Sequence, residues 1–183
     1  MSLTYSNMME LGAKAPGFTL PDTVSGQAVS LSEWKSEVGT VVVFICNHCP
    51  YVHHINAPLV ALAHRYQQKG IQFLAISSNN VETHPQDAPE LMTQVAAEEG
   101  YPFPYLYDQS QEVAKAYGAE CTPDFFVFDK DLACVYRGRF DDSRPQKDEA
   151  TGSDLSQALD AFLAGRPVSQ EQHPSMGCNI KWK

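Results

Sequence analysis

The chain has 183 residues, 43% of them hydrophobic and 19% charged, which suits one domain burying its own core and excludes a disordered composition. A net charge of −9 with no Lys/Arg cluster excludes a nucleic-acid surface. The longest apolar run, Val41 to Cys46, is only strand-length and excludes a membrane-spanning helix. Met1 to Ser6 lack the basic-then-apolar order of a signal peptide, so the cytoplasm is the expected compartment. A trimmed export signal, with Met1-Ser2-Leu3 as its scar, is the alternative. Five cysteines is an odd number, against a fully paired secreted scaffold.

In chain order, Phe18-Thr19-Leu20 and Ala28 to Leu31 flank a Gly26 turn and predict a small hairpin. Val41 to Ile45 is an apolar β-branched run, a strand covered on both faces. From Tyr51 to Gln68, Val52, Ile55, Leu59, Leu62 and Tyr66 make one helix face. Pro50 suits the first turn of that helix, and Pro58 in its interior is expected to kink or split it. Ile71 to Ser77 predicts a strand, followed by a polar loop to Pro89 and a helix carrying Leu91, Met92, Val95 and Ala96. Phe103 to Tyr107 predicts a short strand and Ser110 to Tyr117 a short helix. Phe125 to Phe128 and Leu132 to Arg139 predict an antiparallel pair. After a polar loop, Ser153 is the expected cap of a last helix whose stop is Gly165. The tail from Pro167 to Lys183 shows little periodicity. The pattern is α/β, a mixed sheet with helices on both faces, in one domain over 1–183 with its core at about 15–165.

Cys46-Asn47-His48-Cys49-Pro50 stands where the first long strand turns into the first long helix. Two sulfurs so placed can close on each other and reopen, and a C-x-x-C in a strand–helix context reads as a redox motif. Later, Cys121-Thr122-Pro123-Asp124-Phe125-Phe126 puts a Thr-Pro step at the start of an aromatic strand. In that order, the two features resemble the thioredoxin superfamily. The hairpin and the inserted strand–helix unit from Tyr101 to Gly118 resemble elaborations in peroxiredoxins and in membrane-tethered reductases of cytochrome maturation. The segment Tyr136 to Pro145 and the tail Pro174 to Lys183 resemble a bacterial thioredoxin-family, alkyl-hydroperoxide-reductase-like (AhpC/TSA) branch. The resemblance implies that Thr122-Pro123 is a cis-proline loop beside the cysteines, offering its backbone to a substrate strand.

The helix start favours negative charge at the turn, so Cys46, at its exposed lip, is the expected attacking thiolate and Cys49 the resolving thiol. His48 between them is expected to donate to Cys46. That contact would raise the potential above the roughly −270 mV of thioredoxin, towards about −180 mV. Cys46, Cys49, His53 and His54 also invite a metal reading, yet adjacent histidines on one helix do not converge, so no metal and no cofactor is expected. Cys121 is either a third redox thiol or a buried packing residue. Cys134 is expected to be inert, and Cys178 to be exposed in the tail. Ile45 stands where thioredoxins usually carry Trp, and no buried carboxylate is apparent. Proton transfer from Cys49 would then fall to His53, Glu120 or water.

The expected activity is that of a thiol–disulfide oxidoreductase acting on protein or small disulfides, with an upstream thiol reductant and no nucleic-acid or membrane partner. The alternative is a peroxiredoxin-like peroxidase. There Cys49 is the peroxidatic thiol, Cys46 replaces that family's upstream Thr, and Arg137, Arg139 or Arg144 polarises the peroxide. A copper- or zinc-carrying module is the non-enzymatic third reading.

Overall fold

The structure is a computed structural model that describes residues 3–183; Met1 and Ser2, two of the three residues of the proposed scar, lie outside them. Strand β4 (Gly39–Phe44) runs parallel to β5 (Ile71–Ser77) and antiparallel to β8 (Asp124–Asp129). With β6 (Tyr105–Tyr107) and β9 (Cys134–Gly138) they form a five-stranded sheet in the order β6-β5-β4-β8-β9. Alternate residues along each strand supply the two faces. Val41, Val43, Phe73, Ala75, Phe125 and Val127 point to one layer, packed with α2 (Pro50–Gln67), α3 (Pro89–Glu99) and α5 (Ser153–Leu163). Val42, Phe44, Leu74, Ile76, Phe126 and Phe128 point to the other. That layer holds the hairpin β2 (Thr19–Pro21) and β3 (Ala28–Ser30), α1 (Leu31–Trp34) and α4 (Glu112–Tyr117). This is the thioredoxin-like α/β arrangement that the strand and helix order implies.

Four expectations need correction. Pro58 lies inside α2 without splitting it, since one helix spans Pro50–Gln67. Ser153 is the first helical residue rather than the cap; Gly152 caps α5 with φ +69, and a Cβ there would strike the Phe140 ring. The polar loop after β5 is not featureless, because Pro85–Asp87 winds into a 3-10 turn that buries Asp87. Most consequential is the tail. Met176–Asn179 forms β10, flanked by β1 (Leu3–Tyr5) and β7 (Cys121–Thr122) in a second, antiparallel sheet. A four-residue Met-Gly-Cys-Asn strand carries no β-branched residue, so only its two ladders define it.

Gly177 makes this sheet possible. In β10 it stands beside Thr122, and a Cβ at Gly177 would overlap the Thr122 carbonyl. The tail therefore lies on the Thr122-Pro123 step only because residue 177 has no side chain. Gly177→Ala is expected to destabilise the protein by about 1–3 kcal/mol, as overpacking does, lowering Tm by roughly 2–4 °C per kcal/mol for a chain of this size. An unchanged Tm in thermal unfolding would show that β10 does not press on Thr122.

Candidate active site

Strand β4 delivers the chain to Ile45, and α2 begins at Pro50 with Cys49 as its N-cap. The intervening turn is held through every polar group of Asn47. Its N–H donates to Asp87 Oδ1 at 2.8 Å and its Nδ2 to the Gln86 carbonyl at 3.0 Å. Its Oδ1 accepts from the Tyr105 hydroxyl at 3.0 Å, and its carbonyl meets His53 Nε2. The turn thus presents the two sulfurs in one fixed arrangement.

Asp87, fully buried, is the charge around which this turn is built. Oδ1 accepts the Asn47 and His48 N–H groups; Oδ2 accepts His48 Nδ1 at 2.6 Å and Asn79 Nδ2 at 2.8 Å. A carboxylate with four donors is compensated for its burial. Asn79 Oδ1 in turn accepts the Lys181 N–H at 2.8 Å, so the tail is tied to the same carboxylate. Asn80 N–H and Gln111 Nε2 both donate to the Lys181 carbonyl at 2.8 Å.

The Thr122-Pro123 peptide bond is cis, and Thr122 touches both sulfurs. Its hydroxyl is 3.5 Å from Cys46 Sγ, and its carbonyl is 3.3 Å from Cys49 Sγ. His48 Nδ1 is 3.9 Å from Cys46 Sγ but only 2.6 Å from Asp87, so its proton serves the carboxylate first. His48 also stacks on His84, ring centroids 5.2 Å apart.

Two expectations about the sulfurs change. Cys46 is not at an exposed lip; Cys46 and Cys49 are both buried, at 1% and 0% exposure. Nor is Cys178 exposed in the tail: it is 4% exposed in β10, with its Sγ 2.8 Å from Cys49 Sγ. Negative charge also settles elsewhere than expected. The Cys178 S–H, then that of Cys46, pulls the Cys49 thiol far below the usual cysteine range. Cys46 is pushed up by sharing its proton with Cys49, by burial and by the Asp87 charge, and Cys178 is pushed up by its bond to Cys49 and by burial. The physical reason is the tail, which brings the Cys178 sulfur to 2.8 Å from Cys49. These thiols share protons, and the low first ionisation belongs to the cluster.

The remaining candidates separate. Cys121 precedes Thr122 in β7, so strand alternation turns it to the opposite face, where burial pushes its thiol up. Cys134 is likewise buried, its thiol pushed up to about 11. His53 is engaged with the Asn47 carbonyl and His54 with Ser143 at 2.9 Å, so they do not converge with the cysteines. Cys46, His48 and Asp87 do offer three ligand-type atoms within 4.8 Å of one another. With four donors already on Asp87, this trio is a hydrogen-bonded network rather than an open metal site. Arg137 bonds Gln172 and the Met9 carbonyl, and Arg139 pairs with Asp142 and Asp154. Arg144 lines a small cleft with Tyr51, His54, Pro123 and Met176. Buried carboxylates are present after all: Asp87, and Asp124 next to Pro123, which burial pushes well above the usual carboxylate range. No local pattern in the sequence marks Asp87 or Asn79. Cys178 was visible as an odd fifth cysteine after a glycine, with nothing to place it.

Residues 10–158 match the Redoxin family. An uncharacterized conserved protein from Geobacillus kaustophilus has a crystal structure similar to this one, with a TM-score of 0.98 and 56% identity, covering 100% of this chain and 97% of that one. A hypothetical protein from Sinorhizobium meliloti is similar with a TM-score of 0.95 and 45% identity, over 98% of both chains. Thiol-disulfide oxidoreductase ResA from Bacillus thuringiensis is 23% identical over 146 residues, 80% of this chain and 79% of that protein.

The depressed Cys49 thiol has a pH consequence. Its folded value lies below its unfolded one, so its stabilising contribution is complete above the unfolded value and is lost as pH falls through the folded one. Cys178→Ala removes the largest cause of the depression. A hydrogen bond to a charged group contributes about 1.5–3 kcal/mol, so the thiolate absorbance of the reduced protein should titrate roughly one to two pH units higher. An unmoved ultraviolet titration would show that Cys178 does not donate to Cys49.

Proposed function

The chain belongs to the Redoxin family, and from that membership we propose that it is a thiol–disulfide oxidoreductase working through Cys46 and Cys49. The observation that carries the reading is the contact of one residue, Thr122 of the cis-proline step, with both sulfurs. That contact fixes a dithiol at a turn where either sulfur can hold the charge.

Cys46 is the attacking sulfur in this proposal. It neighbours the half-buried His48, whereas Cys49 lies beneath, between the Thr122 carbonyl and Cys178. The shared proton moves to Cys49, and the Cys46 thiolate attacks one sulfur of a substrate disulfide. The substrate S–S bond breaks and one thiolate leaves, giving a mixed disulfide on Cys46. Cys49 gives its proton to the first departing thiolate and attacks Cys46 Sγ; the Cys46–substrate bond breaks and the second substrate thiolate leaves with that electron pair. The substrate gains two electrons, the protein retains a Cys46–Cys49 disulfide, and an upstream dithiol restores it. Burial of the pair keeps water from the mixed disulfide. The site must therefore open locally at the His48–His84 rim for a substrate to enter.

A second reading, a thiol peroxidase acting through Cys49, is favoured by one observation: the charge rests on Cys49 at the N-cap of an 18-residue helix. The two readings differ in which sulfur is indispensable. Cys46→Ser is expected to abolish insulin-disulfide reduction, while Cys49→Ser should accumulate mixed disulfides on Cys46. Peroxide consumption by Cys46→Ser in stopped flow is expected to match an ordinary thiol. A reaction orders of magnitude faster than that would move the assignment to the peroxidase.

A further inference from the structure

Cys178 is not needed for two-thiol chemistry, yet the structure places it in the active site. Its Sγ is 2.8 Å from Cys49 Sγ, closer than non-bonded sulfurs ordinarily pack. Its strand reaches that position by pairing with the cis-proline step itself, Cys178 opposite Thr122 and Asn179 opposite Cys121. This is the kind of edge on which the fold would add a substrate strand. Here the chain's own tail takes it.

Several independent contacts hold the tail there. Ile180 N–H donates to the Glu120 carbonyl at 2.9 Å, and Lys181 N–H reaches Asn79, which bonds Asp87. Gln111 Oε1 accepts the Lys183 N–H, and Gly177 lacks the side chain that would hold the strand off Thr122. Cys178 is presented to Cys49 as a substrate sulfur would be, by main-chain pairing. Cys46 touches the hydroxyl of the same Thr122 whose carbonyl touches Cys49, and its thiol is electrostatically linked to that of Cys49. Thr122 thus gathers Cys46 and Cys49 at one step, and Cys178 closes on Cys49 there.

We propose that Cys178 is a third redox thiol, and that the oxidised protein interconverts between a Cys46–Cys49 and a Cys49–Cys178 disulfide. The proposal rests on the Cys46–Cys49 pair being redox-active. Cys178 gives up its proton and attacks Cys49 Sγ of the Cys46–Cys49 disulfide. The new Cys49–Cys178 bond forms, the Cys46–Cys49 bond breaks, and Cys46 leaves with the electron pair and takes up the proton. No electrons enter or leave the protein. The exchange holds the oxidising equivalent on the tail strand and returns Cys46 to a thiol, so a substrate meets either a disulfide or a Cys46 thiol in oxidised protein.

Disulfide mapping of the full-length protein tests this. Wild type is equilibrated with oxidised glutathione, quenched in acid, alkylated and digested with pepsin, and the linked peptides are quantified. Both linkages are expected, with Cys49–Cys178 at no less than about a tenth of Cys46–Cys49, which bounds their difference at about 1.4 kcal/mol. Less than that overturns the proposal while leaving the two-thiol reading intact. Finding neither linkage removes both. Cys46→Ser is the second arm, in which Cys49 and Cys178 should pair within the monomer and disappear from the thiol count. Retention of both thiols in this variant, or their capture only by glutathione, also overturns the proposal. If that variant does not fold, the wild-type map alone decides.

Discussion

The buried Asp87 carboxylate is the constraint on which the site depends. Taking a carboxylate out of water costs several kcal/mol unless donors replace the lost hydration. Here two backbone N–H groups of the C-x-x-C turn, the His48 ring and the Asn79 amide replace it. The turn meets Asp87 through the Asn47 and His48 N–H groups, where the loop after β5 winds into a short 3-10 turn. The same charge disfavours a thiolate on Cys46, which helps direct the charge to Cys49. A second buried carboxyl, Asp124, is handled differently: without donors of comparable strength, it is held towards its neutral form by burial.

From Asp87 the constraint extends into the tail. Asn79 bonds Asp87 through its amide and Lys181 through its carbonyl oxygen, and Lys181 continues the segment that carries Cys178. The C-x-x-C turn, the loop after β5, the cis-proline step and the tail therefore form one polar network around three sulfurs. Within that network His48 Nε2 is a buried polar atom without a partner among the described residues. The proposed reaction requires one concession, a local opening that lets substrate reach buried sulfur. The His48–His84 stack is a half-buried edge of this network.

Much of this was legible in the sequence where local physics decides. Val41 to Phe44 announce a strand buried on both faces, and the three–four spacing of Val52, Ile55, Leu59 and Leu62 announces the helix behind it. Cys46, Cys49, Thr122 and Pro123 stand out by residue type and position, and they meet in space. What local pattern cannot carry is partnership across the chain. Asp87 looks like one more acid in a polar loop, because three of its four donors lie 39 or 40 residues away at Asn47 and His48. Cys178 looks exposed because a strand without β-branched residues gives no periodic signal, and its partners β1 and β7 are themselves only three and two residues long. The charge was placed on Cys46 for a related reason. The donor that lowers the Cys49 thiol is Cys178, 129 residues away in the tail, and no local spacing announces it.

The central claim, a reversible dithiol whose reduced form is stabilised by hydrogen bonds to a thiolate, is tested most directly by a glutathione redox titration with thiol counting. Two of the five thiols should disappear in a two-electron transition, at a midpoint more oxidising than the roughly −270 mV of thioredoxin. Retention of all five thiols across about −320 to −120 mV would contradict it.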